Sequence, residues 1–413
     1  MNDPATNDPA MNSAALNSAA THDEHPRRRD DMPDETDIRA RVRRLARGKA
    51  GTAVVGALVG ALLATGVMAW RAGELPLVPH NVCWNALSSD DLDGLFSDEG
   101  DIRAQEMPLD HALGADETSA TQCGIQRWQD DELKWEVTAE VKELDRYRGK
   151  DGREWPEEFL SSAMVPLGGE VTGMVSPARA WVALPATCQG GRKVDPPTVV
   201  SLSSGRPDTR QENPREARSY RAALASAVVH LANGVMDEHG CSGRYADPDT
   251  DKLAPLAPYK TPKGDAGLCG LKGVRLPKWA RASVDYSQGM RATSTREGVV
   301  HSCEVGREPD SGGLRLTTIE DPGLGHAVEP LAREGTERLK GDGYGSVSGD
   351  LAIYTVPCQT GQVVFTAQAR AGLSGRSPAV AVLPSYVRAQ AKRIGCGDVK
   401  VEGAKRAERS GSR

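Results

Sequence analysis

Apolar positions along this chain follow three kinds of pattern. The first is one uninterrupted run, "GTAVVGALVGALLATGVMAW", over 51–70, with no charged residue in twenty. The second is a set of short runs bounded by Gly, Pro and polar residues: "LKWEVTAEV" (133–141), "TVVSL" (198–202), "LRLTTIE" (314–320) and "QVVFT" (362–366). These read as β-strands. The third is helical, in "AALASAVVHLANGVMDEHGC" (222–241) and "PSYVRAQAKRIGC" (384–396), each ending on a Cys. Before the first run, Ile38, Val42 and Leu45 fall at i, i+4 and i+7, which predicts a short basic helix.

The short runs recur in one order. "VCWNAL" (82–87) is answered by "LCGL" (268–271), and "TQCGIQRW" (121–128) by "HSCEVGRE" (301–308). "GMVSPARAWVALPATCQ" (173–189) is answered by "GSVSGDLAIYTVPCQ" (345–359). With the strands and helices above, the recurrence predicts a duplication. The expected organisation is a disordered tail with a basic juxtamembrane end (1–48) and a transmembrane helix (50–71). A first module (80–245), a linker (246–263), a second module (264–402) and a disordered end (403–413) follow. Helix or loop first, strands next and helix last predicts an α+β class. It consists of a single transmembrane helix followed by two repeated antiparallel-sheet-plus-helix modules, each sheet covered by helices on one face.

Eight cysteines all follow residue 80: Cys83, Cys123, Cys188, Cys241, Cys269, Cys303, Cys358 and Cys396. An even number with no C-x-x-C predicts disulfides in an oxidising compartment rather than a zinc site. The matching blocks suggest Cys83–Cys123, Cys188–Cys241, Cys269–Cys303 and Cys358–Cys396. Four cysteines per module allow three connectivities, so the alternatives stay open.

Charge sets the expected topology. The chain of 413 residues has a net charge of −6. A cluster of six cations without an acid, Arg39, Arg41, Arg43, Arg44, Arg47 and Lys49, directly precedes the apolar run. The positive-inside rule then puts the N-terminus in the cytoplasm and the bulk outside. The acidic bulk lacks the footprint expected for a nucleic-acid partner. Within the run, Gly56-x-x-x-Gly60 offers a close-packing face for a homodimer.

The order of an early Cys before a Leu-rich helix start, a strand Cys, a second strand Cys and a helix-end Cys resembles extracytoplasmic domains of actinobacterial membrane proteins. Such domains occur in lipoproteins and in sensor ectodomains of Ser/Thr kinases. The chain departs from both, with no lipidation Cys and a tail too short for a kinase. Its layout is similar to that of membrane adaptors that dock cytoplasmic machines such as contractile injection particles.

Candidate chemistry is thin. "GSVSG" (345–349) has Val347 where a nucleophile elbow needs Ser. "SDDLDGLFSDEG" (89–100) ends on Gly100 where a calcium loop needs Glu, and Ser88 with Asp91 reads better as a helix cap. His230, His239, His301 and His326 have no partner at motif spacing, and Trp84, Trp128, Trp135 and Trp181 read as core. Gln189 and Gln359 recur beside Cys. No cofactor or metal is expected. The expected function is a non-enzymatic single-pass adaptor whose exterior modules bind an envelope component or partner. The alternatives are a ligand sensor that dimerises through Gly56 and Gly60, and a wall-acting enzyme.

Overall fold

The computed structural model describes residues 81–96, 100–109, 121–144, 151–188, 197–205, 214–261, 267–281, 284, 289–293, 298–306, 313–359, 361–369 and 377–402. All of them fall in one unit, Val78–Arg413.

The first half runs α1 (Ser89–Leu95), β1 (Asp101–Glu106), β2 (Thr121–Gln129), β3 (Glu132–Glu143), α2 (Asp151–Phe159), β4 (Val165–Pro166), β5 (Gly173–Val175), β6 (Arg179–Ala183), β7 (Thr198–Ser203) and α3 (Pro214–Glu238). Its strands lie in the order β1-β2-β3-β7-β6-β5-β4, every neighbour antiparallel. The β2–β3 hairpin closes on Asp130 and Asp131, both at positive φ. Two left-handed residues make the turn whose twist matches the strands, and Asp tolerates that region.

The second half runs α4 (Lys278–Arg281), β8 (Met290–Ala292), β9 (Val300–Val305), β10 (Leu314–Ile319), α5 (Pro322–Glu334), β11 (Glu337–Gly341), β12 (Tyr344–Ser348), β13 (Leu351–Cys358), β14 (Gly361–Gln368), α6 (Pro378–Arg393) and β15 (Val401–Glu402). Its order is β15-β11-β12-β13-β14-β10-β9-β8. Without β15, this is the first sheet's order, strand for strand. The four disulfides are Cys83–Cys123, Cys188–Cys241, Cys269–Cys303 and Cys358–Cys396. Each half therefore ties its opening turn to its second strand, and a late strand or the turn after it to its final helix.

The ends of the two long helices superpose bond for bond. In α3, the amides of His239, Gly240 and Cys241 donate to the carbonyls of Val235, Asp237 and Met236. In α6, those of Ile394, Gly395 and Cys396 donate to Gln390, Lys392 and Ala391. Gly240 and Gly395 take the left-handed conformation that ends a helix this way. The shared pattern fixes the register: Val235 stands where Gln390 stands, and Leu231 where Tyr386 stands.

Helices cover both faces of each sheet, which corrects the expectation of one covered face. One core joins α3 to Val182, Val200 and Leu202 of the first sheet. Another joins α6 to Tyr354, Val363 and Phe365 of the second. A third lies between the sheets and draws on Trp181 and Val199 from one, Ile353 and Val364 from the other, with Trp155, Phe159, Leu324 and Val328 of α2 and α5. This double burial is why the inner strands read as continuous apolar runs rather than alternations. The segment 245–261 is also held. Asn233 and Tyr245 exchange side-chain-to-backbone hydrogen bonds, Tyr245 donates to the Ala183 carbonyl at 2.8 Å, and Lys260 pairs with Met290.

The fold class is corrected in a second respect. It was expected to begin with a transmembrane helix, yet no helix among the described residues is long and apolar enough to cross a membrane. The longest, α3, carries six charged side chains and packs on a sheet. Two antiparallel sheets with packed helices make up the described architecture. The apolar run 51–70, Gly56 and Gly60, the basic cluster Arg39–Lys49, Gln189 and the tails 1–48 and 403–413 lie outside the described residues.

Candidate ligand pocket at the second-half disulfide

Among the described residues, three polar clusters and two adjoining cavities are candidate functional sites. Ser88, Asp91 and His230 form the first cluster. Ser88 caps α1 in a capping box with Asp91, as the helix reading of 88–91 expects. Asp91 then accepts from His230 Nδ1 at 2.7 Å, and Asp247 lies 3.2 Å from Nε2. Asp91 stands between Ser88 and the imidazole, so the histidine cannot take the serine's proton. The cluster pins α1 and the 245–251 segment to α3. The Asp91 bond holds the imidazole above its ordinary pKa against its partial burial.

The second cluster is buried between the halves. Glu304 of β9 accepts from Ser162 Oγ at 2.7 Å and from Arg315 Nε at 2.8 Å, with Arg291 Nη2 at 3.5 Å. Arg291 Nε donates to Ser162 Oγ at 2.9 Å and its guanidinium lies over the Tyr259 ring. Arg315 also donates to the Glu157 carbonyl, and Ser302 to that of Leu160. Burial would raise the Glu304 carboxyl, but Arg315 and Arg291 outweigh it and hold it below its ordinary value. Each Glu304 oxygen already has donors, so the cluster works as a latch between the halves.

In the third cluster, Glu329 of α5 accepts from Tyr344 and Arg333, with His326 Nδ1 at 3.2 Å. It too is closed on itself. No group of three or more His, Cys, Asp or Glu side chains among the described residues is placed to hold a metal ion.

The cavities differ from these clusters because their polar groups are not all used. Two adjoin at the Cys269–Cys303 bridge and share Ala292 and Thr293 in their walls. The larger, about 430 Å³, is walled by the Pro255–Pro258 strap and Met290. The smaller, about 230 Å³, is polar and lies between β9 and α6. Local sequence explains the shape. Cys269 sits in a tight turn at φ 61°, and a Cβ on Gly267 would meet the Leu271 carbonyl oxygen at 1.7 Å. Only glycine at 267 lets the turn fold back and set the disulfide in the cavity wall.

The polar side chains of the smaller cavity come chiefly from β9 and α6, with the opening turn and the end of β8 completing its wall. From β9, His301 Nε2 pairs with Glu320 at 2.9 Å. From α6, Tyr386 OH shares a 2.7 Å hydrogen bond with Thr318 Oγ1, and burial pushes its phenol up, so it stays protonated. Gln390 is 1% exposed, and its Nε2 has no acceptor among the described residues. Arg393, one turn on, is exposed at the rim.

Of the residues singled out in the sequence, Cys269, Cys303 and His301 come together here. Cys83, Cys123, Cys188, Cys241, Cys358 and Cys396 serve the scaffold, and Trp181 is fully buried with Nε1 donating to Phe159 O at 3.1 Å. Thr293, Tyr386, Gln390 and Arg393 escaped the sequence reading. Their signal was present: setting "VRAQAKRIGC" on "LANGVMDEHGC" by the final Cys puts Gln390 against Val235. Comparison with protein-family models, curated proteins and solved structures found no match to this chain.

Proposed function

We propose that this chain is a non-enzymatic binding protein, an adaptor whose disulfide-tied part engages an envelope component or partner in an oxidising compartment. One observation carries the reading. The polar groups of the three closed clusters already have partners, whereas the cavity beside Cys269–Cys303 holds a buried donor, Gln390 Nε2, without one among the described residues. A pocket with a few convergent polar groups next to an apolar cleft suits binding and positioning. Four disulfides suit the compartment.

A photo-crosslinking amino acid at Thr293, compared in living cells with one at Lys252 on the surface of the first half, tests this. An adduct formed from position 293 and not from 252 is the expected result. Absence of an adduct from either position, or equal labelling from both, would refute it.

A further inference from the structure

Alignment of the two halves by their matching helix ends turns the pocket into an internally controlled comparison. Among the polar residues in its wall are His301, Tyr386, Gln390 and Arg393, with Thr293 and Ser302 beside them. Counting back from the equivalent cysteines, the counterparts of the first four are Thr121, Leu231, Val235 and Glu238. Leu231 and Val235 are fully buried in the first core. The fold therefore accepts an aliphatic side chain at the position of Gln390. At that position the second half instead buries an amide whose N–H finds no acceptor among the described residues. Such a group gives up its hydrogen bond to water on folding and gains none in return. The sign at the rim also reverses, from Glu238 to Arg393. Scaffold requirements explain neither change, since the first half builds the same scaffold without them.

We infer that the polar cavity of the second half binds the carboxylate of a small or chain-terminal acid, with Gln390 Nε2 and the Arg393 guanidinium as its donors. Both groups donate and neither accepts at those atoms, which selects an acceptor, and Arg393 selects an anion. The neighbouring carboxylate, Glu320, is already engaged by His301. At about 230 Å³ the cavity holds an acid group and a few carbons, smaller than a drug-sized site. The apolar cleft next to it, behind the Pro255–Pro258 strap, receives the carbon chain that follows. A free short-chain acid and the C-terminus of an extended peptide share this chemistry.

The inference rests on the binding reading above. Its test uses the full oxidised chain and calorimetric titration with four probes: butyrate, butyramide, and N-acetyl-Ala-Val with a free or an amidated C-terminus. We expect the acid to bind at least about tenfold more tightly than its amide in one pair or both. Preference for butyrate identifies a free acid, and preference for the dipeptide a chain end. Arg393→Ala, an exposed change, and Gln390→Leu should each weaken the acid about tenfold or more. Gln390→Leu should at the same time leave the free protein at least as stable to heat, as Val235 does for the first half. Equal affinity for acid and amide, no saturation by any probe, or binding indifferent to both substitutions would overturn the inference. An adduct at position 293 without discrimination between acid and amide would sink it and leave the binding reading standing.

Discussion

Glu304 is the residue on which the pairing of the halves most depends. It is fully enclosed, and two guanidinium groups lie against it from the same sheet while Ser162 reaches it from the other half. Glu304→Gln would leave two buried cations without a counter-charge. Loss of one partner from a buried ion cluster costs about 3–5 kcal/mol, so urea unfolding should show a drop of that size; a loss under about 1 kcal/mol would contradict the latch. His230 acts with the opposite pH sense. Its folded pKa is raised, chiefly by Asp91, so its stabilising contribution is complete below about pH 6.5 and is lost as pH rises through the folded value. Melting temperature should fall across that range in the native chain, and His230→Gln should flatten the fall. Neither residue announces its role in the sequence, because Glu304 lies 142 positions from Ser162 and His230 lies 139 from Asp91. Gln390 was legible only by comparison with Val235, since a glutamine on an amphipathic helix ordinarily faces water.

At the level of elements, strands and helix ends were the most readable features. The run 133–141 falls inside β3, 198–202 inside β7 and 362–366 inside β14, and 314–320 overruns β10 by one residue. Short apolar runs between Gly and Pro carry that signal locally. What ran against expectation was the second covered face, because α2 and α5 join the central core only through contacts made across the chain. Their own sequences also hide them: α2 contains Pro156 and α5 contains Pro330. The disulfides were approachable because like contexts flank the equivalent cysteines. Cys358–Cys396 closes a segment of separation 38 that includes β14 and α6. Replacing both cysteines by Ser should cost about 3–4 kcal/mol by loop entropy, read as a lower denaturant midpoint. No change in the midpoint would mean that α6 holds its place by packing alone.

For the whole molecule, the shared central core governs behaviour. Trp155, Phe159, Met174 and Trp181 of the first half pack with Ile319, Leu324, Val328 and Ile353 of the second. Separating the halves would expose these side chains together with the Glu304 cluster. Residues 78–413 should therefore unfold in one calorimetric transition, and the segment 80–245 produced alone should bind a hydrophobic dye or aggregate. Two resolved transitions, or a monomeric and dye-silent fragment, would show that each half is self-sufficient. Local sequence patterns carry no such information, since a tandem recurrence is equally compatible with independent beads and with a fused pair.

One strand joins the pocket to that interface. Along β9, His301, Ser302 and Cys303 lie in the cavity wall, and the side chains of Ser302 and Glu304 reach Leu160 and Ser162 across the interface. Alternation at a period of two places the two tasks on opposite sides of a single backbone. The two tasks therefore share one short strand. An occupant whose affinity depends on where β9 lies must change the grip between the halves by the same factor as that grip changes its own binding.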